Sequence, residues 1–198
     1  MQTSVGRTLI TAVLGVALAA CGAVAADSSS ANSGTAPAAG EARAGLASAP
    51  ACAITWGSGE KTAGALSSAL LLTAETGRHE CWDRVVFEFG GSALGYSVRY
   101  SDQVPTEGRG EDLVPYTAGG SHLWVTLRAP ASTFDATSGE HVANVLSYDT
   151  LRDVVFGGSF EGYTTFAVGV RARLPFRVTT LAGPGTHSRI VVDVAHRW

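Results

Sequence analysis

One lysine, Lys61, stands among the fourteen basic residues of this chain, so its positive charge is almost entirely arginine. Arginine suits flat, two-pronged contacts to carboxylate or phosphate, although GC-rich coding alone produces the same bias. Basic residues do not dominate: seventeen acidic side chains leave a net charge of −3, which argues against a nucleic-acid partner. Cysteine is also scarce, with three in 198 residues, too few for a disulfide-dense scaffold. Aromatic side chains are missing altogether until Trp56. The nucleophile-elbow pattern G-x-S-x-G is absent, because "GGSFEG" lacks its second glycine in the needed place. The zinc-protease pattern H-E-x-x-H is absent too, since "HECWD" puts Asp83 where the second histidine belongs. The five histidines (His79, His122, His141, His187, His196) are scattered over turns and strand ends, and the acidic pair Glu111-Asp112 sits in a Gly-rich loop. These gaps point away from an enzyme and imply no cofactor.

No apolar run is long enough to cross a bilayer. The longest, "LITAVLGVALAA" (9–20), would span roughly 18 Å as a helix against a hydrocarbon core of about 30 Å. Preceded by Arg7, it reads as an export signal over residues 1–20. It ends in Leu18-Ala19-Ala20-Cys21, the pattern of a bacterial lipobox, in which the thiol is diacylated with palmitate-type chains and the chain is cut before the cysteine. Two acyl chains give a stable anchor where one is marginal. Cys21 is therefore expected to be a lipid attachment point, placing the protein on the extracytoplasmic face of the cell membrane. Residues 21–51 follow as an Ala/Ser/Gly-rich stretch that cannot bury enough apolar surface to order itself. It reads as a disordered tether with an r.m.s. reach of roughly 30 Å.

From Cys52 the texture changes, and every tryptophan, tyrosine and phenylalanine lies in residues 52–198. Period-2 alternation marks strands at "GYSVRY", "HLWVTLR", "TTFAVGVRAR" and "SRIVVDVAH". "RVVFEF" and "PFRVTTL" add two more, and "SALLLTAETGRH" is placed to pair with the first of these. Turn clusters such as "FGGSALG", "PTEGRGEDLVP" and "AGPGTHS" separate them. The stretch "HVANVLSYDTLRDVV" (141–155) offers the one candidate for a helical turn or short helix. The expected fold is all-β, an antiparallel β-sandwich or open barrel.

Four segments in order carry a family resemblance: "TGRHECWDRVVFEFGG", "GYSVRYSDQVPTEGRGEDLVP", "GSFEGYTTFAVGVRARLPFRV" and "SRIVVDVAHRW". Over about Trp56 to Trp198 the chain resembles the AMIN-like domain lipoproteins of actinobacteria. The resemblance implies an all-β fold and a surface-tethered accessory domain, and relatives among AMIN modules are associated with peptidoglycan binding and with placing envelope machinery.

Two cysteines remain once Cys21 is acylated. In an exported domain Cys52 and Cys81 are expected to form a disulfide, closing about 29 residues and stabilising the fold by roughly 3–4 kcal/mol. The alternative is zinc: in an extended "RHECWDR" segment His79, Cys81 and Asp83 share one face, and Cys52 would complete the set. The spacing matches no recognised zinc motif, so the disulfide reading leads and no metal is assigned.

Two features could hold a ligand. Trp124 shares a strand face with His122, Thr126 and Arg128, where it could stack on a sugar ring or serve as cover for a second core layer. In "VRARLPFR", Arg171 and Arg173 are expected on one side of a strand with Arg177 beyond Pro175, either as a clamp for stem-peptide carboxylates or phosphate or as ordinary ion pairs. The leading reading is a lipid-anchored, non-catalytic envelope domain that binds peptidoglycan or positions an envelope protein partner. The alternative is a carrier holding a lipid or small apolar ligand in a β-barrel cavity.

Overall fold

Strand alternation from Lys61 onward builds two antiparallel sheets. The structure is a computed structural model and describes residues 52–198; the expected signal, Cys21 and the tether lie outside the described residues. Nine strands follow in chain order: β1 (Lys61–Ala63), β2 (Leu70–Arg78), β3 (Trp82–Gly90), β4 (Tyr96–Tyr100), β5 (Ser121–Leu127), β6 (Leu151–Phe160), β7 (Tyr163–Val170), β8 (Phe176–Ala182) and β9 (Ser188–Ala195). One sheet has five strands in the order β1-β4-β5-β7-β6 and the other four in the order β2-β3-β9-β8. Every ladder is antiparallel, and the two sheets face each other as a sandwich without closing into a barrel. The all-β expectation holds, with the sandwich form realised.

The alternation read from the sequence becomes the core. On β3 the residues Val85, Phe87 and Phe89 point inward while Arg84, Val86 and Glu88 point out. Leu123, Val125 and Leu127 on β5, and Ile190, Val192 and Val194 on β9, do the same. Phe166 sits at the centre, with its ring centroid 4.8 Å from Phe87 and 5.2 Å from Phe156. These buried rings fill the space between the sheets, the volume a carried apolar ligand would need, and a carrier is therefore not the reading this core favours.

The segment 141–155 is not helical. It runs irregularly to Thr150 and then enters β6, and among the described residues the only helical element is a 3₁₀ turn at Val114–Tyr116. Alternation is lost in β6 for two physical reasons. The strand is buried on both faces, and bulges between Leu151 and Asp153 and between Phe156 and Ser159 each shift its register. Its second face is covered by the excursion between β4 and β5, whose Val104 and Leu113 pack on Val155 and Ala167 as a small outer core. The other overturned boundary is the end of β7, which stops at Val170 and leaves Arg171 and Arg173 on a bend.

Candidate functional site

The chain crosses from the five-stranded sheet to the four-stranded one through Arg171–Pro175. Leu174 is buried and anchors this crossover, while Arg171 and Arg173 stand exposed on either side of Ala172. Tyr100, the last residue of β4, fixes the segment in place. Its hydroxyl donates to the Leu174 carbonyl at 2.8 Å and accepts the Leu174 N–H at 2.9 Å. Its ring stands edge-on to Phe176 at 5.6 Å. Burial pushes the Tyr100 phenol up to about 12, an effect that the Leu174 contact and the nearby Arg173 charge only partly offset.

Arg173 lies over the face of this pinned ring, its guanidinium carbon 5.1 Å from the centroid. It borders an open cleft of about 390 Å³ lined by Tyr100, Ser101, Asp102, Ser121, His122 and Arg173. The floor comes from the start of β5. His122 Nε2 lies 3.0 Å from the Thr117 carbonyl, and because a carbonyl only accepts, that nitrogen carries the proton. The loop before β5 lies flat on β7 because two glycines leave room. A Cβ at Gly169 would collide with the Ala118 carbonyl oxygen, and one at Gly120 with that of Arg171. Asp102 and Arg173 border the same cleft, yet among the described residues neither forms an ion pair.

The other residues singled out from the sequence go elsewhere. Arg171 donates to the His196 carbonyl and borders a second cleft with Cys52, Glu80, Asp149, His196 and Arg197. Arg177 belongs to the outer face of the four-stranded sheet. There it bonds the buried Asp193 at 2.8 Å, which also accepts Arg84 at 2.6 Å, and its guanidinium lies 4.3 Å from the Trp56 ring and 5.0 Å from Trp82. The three arginines thus do not share one set of partners. Alternation would have put Arg171 and Arg173 on one face, and the bend after Val170 separates them. Trp124 is the cover of the outer core: it packs on Val104, Leu113, Val155 and Ala167, and its indole N–H reaches Thr165 Oγ1 at 3.4 Å. The Arg99 guanidinium, 4.2 Å from the ring centroid, occupies the face that a sugar would need.

Cys52 and Cys81 form the disulfide, which leaves no thiolate for the zinc set. His79 instead stacks on Trp82, with centroids 5.3 Å apart. Asp83 points inward, where Oδ2 accepts the N–H groups of Thr150 at 2.5 Å and Leu151 at 3.0 Å, and Oδ1 faces His196 Nε2 at 3.1 Å. Among the described residues Asp83, Asp149 and His196 bring ligand atoms within 4.8 Å of one another, a spacing a metal ion could use. The Asp83 oxygens are already committed to those donors, so the cluster acts as a clamp joining the start of β3 to the start of β6 and the end of β9. This clamp is not legible in the sequence, since its members are spread over as many as 113 residues. Tyr100, Asp102, Ser121 and His122 were likewise missed as a group: "RYSD" and "GGSH" read only as strand ends and turns.

A sandwich with open polar clefts at one end, and a filled core, is the architecture of a binding module. The chain belongs to the AMIN-like domain family, whose model matches residues 69–196. That match indicates a peptidoglycan-related envelope domain of a generally non-catalytic, binding kind, and no enzymatic family is indicated. No curated protein and no solved structure matches the chain.

Proposed function

We propose that this is a lipid-anchored envelope domain that binds peptidoglycan. In this reading residues 1–20 are removed as a signal, Cys21 carries the lipid, residues 21–51 are the tether, and residues 52–198 are the binding domain on the extracytoplasmic face of the membrane. The observation that carries it is the AMIN-like match over nearly all of the folded part. The Cys52–Cys81 disulfide supports export, since such bonds persist in oxidising compartments. The cleft beside Arg173 supports a ligand that bears a carboxylate, because its guanidinium is held in place without an acidic partner. Positioning an envelope protein is the second reading. It is favoured by exposed Phe160 and Tyr163 at the β6–β7 turn, with Leu66 packed over Gly162 beside them.

The test is sedimentation of the full-length chain with insoluble peptidoglycan, alongside fractionation of expressing cells. The wild type is expected in the peptidoglycan pellet and the membrane fraction, and Cys21→Ser is expected to leave the membrane while still pelleting. A wild-type chain that stays in the supernatant contradicts peptidoglycan binding. A membrane-bound Cys21→Ser variant contradicts the anchor.

A further inference from the structure

We infer that the Arg173 cleft selects a zwitterionic amino-acid head group, one carbon bearing both a free carboxylate and a free ammonium; the identity of its carrier rests on the peptidoglycan reading. Opposite charges border this cleft without touching. Arg173 is held over Tyr100, Asp102 stands exposed on the rim, and no ion pair of 4.0 Å or less joins them. Exposed opposite charges gain little by pairing, so a fixed support is enough to hold them apart. Here the support is visible: the Tyr100 ring beneath Arg173 is pinned through its hydroxyl to Leu174 on both the donor and the acceptor side.

The charge pattern decides between ligand classes. A simple anion would pair with Arg173 but meet Asp102 as a like charge, and a simple cation would meet the reverse. An apolar ligand would find only Val114, Gly120 and the Tyr100 ring among polar and charged neighbours. A zwitterion satisfies both charges at once, with the carboxylate on the guanidinium and the ammonium on the carboxylate. Ser121 and His122 border the same space, and with Nε2 donating to the Thr117 carbonyl, His122 keeps Nδ1 as an acceptor for a second ammonium N–H. In peptidoglycan stems that chemistry belongs to the unlinked end of a diamino diacid such as diaminopimelate. A lysine side chain lacks the carboxylate, a terminal alanine lacks the ammonium, and cross-linking converts the ammonium to an amide. The domain would then read stems that have not been cross-linked.

The experiment is a binding titration of the purified full-length chain in mild detergent with soluble disaccharide-tripeptide fragments. Four fragments are compared, the diaminopimelate fragment, its amidated form, its N-acetylated form and the lysine fragment, with free diaminopimelate titrated beside them. The diaminopimelate fragment is expected to bind, and each of the other three to bind about tenfold more weakly or less. Arg173→Ala is expected to abolish the preference for the free carboxylate, and Asp102→Asn the preference for the free ammonium, with melting temperatures confirming that both variants fold. Equal binding of all four fragments, or preferences unchanged in both variants, overturns the inference while leaving peptidoglycan binding intact if sacculi still pellet the chain. Binding of free diaminopimelate with no affinity for fragments or sacculi supports the zwitterion site and removes the peptidoglycan reading. No binding of any probe overturns the inference.

Discussion

At the scale of single residues, the three arginines of "VRARLPFR" show how one residue type divides its work by surroundings. Arg177 neutralises Asp193, which is almost fully buried and would otherwise be left with Arg84 alone. Arg171 closes the crossover onto the His196 carbonyl, and Arg173 is left over an aromatic face with its donors toward a cleft. Tyr100 is the residue on which the last of these depends. Its phenol is raised from the ordinary 10.0 to about 12, so the folded state holds that proton more tightly than the unfolded chain does. The resulting stabilisation is complete below pH 10 and is lost as pH rises from 10 toward 12. Urea unfolding across that interval is expected to show a falling midpoint in the wild type and a flatter one in Tyr100→Phe, which lacks the titrating group. Identical pH profiles would remove Tyr100 from this role.

At the scale of elements, legibility followed burial. β3, β4 and β5 were readable because one face meets the core and the other meets water or charged neighbours. β9, though buried on both faces, was readable because Arg189 and Asp193 fall on its outer face and break the apolar run there. β6 was not readable, because the excursion carrying Val104 and Leu113 buries its second face and two bulges break its period. Arg173 was legible as a candidate, but its cleft was not: Tyr100, His122 and Arg173 converge only through pairing of β4 with β5 and β5 with β7. The Cys52–Cys81 pairing was legible from export and cysteine count, and it ties the first described residue to the turn before β3. Replacing both cysteines with serine is expected to cost roughly 3–4 kcal/mol, read as a lowered denaturation midpoint with an unchanged far-ultraviolet spectrum. An unchanged midpoint would mean that the segment from Cys52 to Gly57 is held by its other contacts, the packing of Trp56 on Arg177 and Trp82 and the hydrogen bonds of Phe176 and Lys61 to the Gly57 carbonyl.

At the scale of the whole molecule, the sandwich has two dissimilar ends. One gathers Cys52, the disulfide, the Arg171–Pro175 crossover and both charged clefts. The other carries the β6–β7 turn with exposed Phe160 and Tyr163. The proposed ligand therefore meets the domain at the end that carries Cys52, and a protein partner would meet it at the opposite end. Backbone amide shifts of the isotope-labelled chain, recorded while soluble peptidoglycan fragments are added, test this placement most directly. The account predicts perturbations grouped at residues 100–102, 118–122 and 171–174. Shifts grouped instead around residues 160–163, or none at saturating fragment, would contradict it.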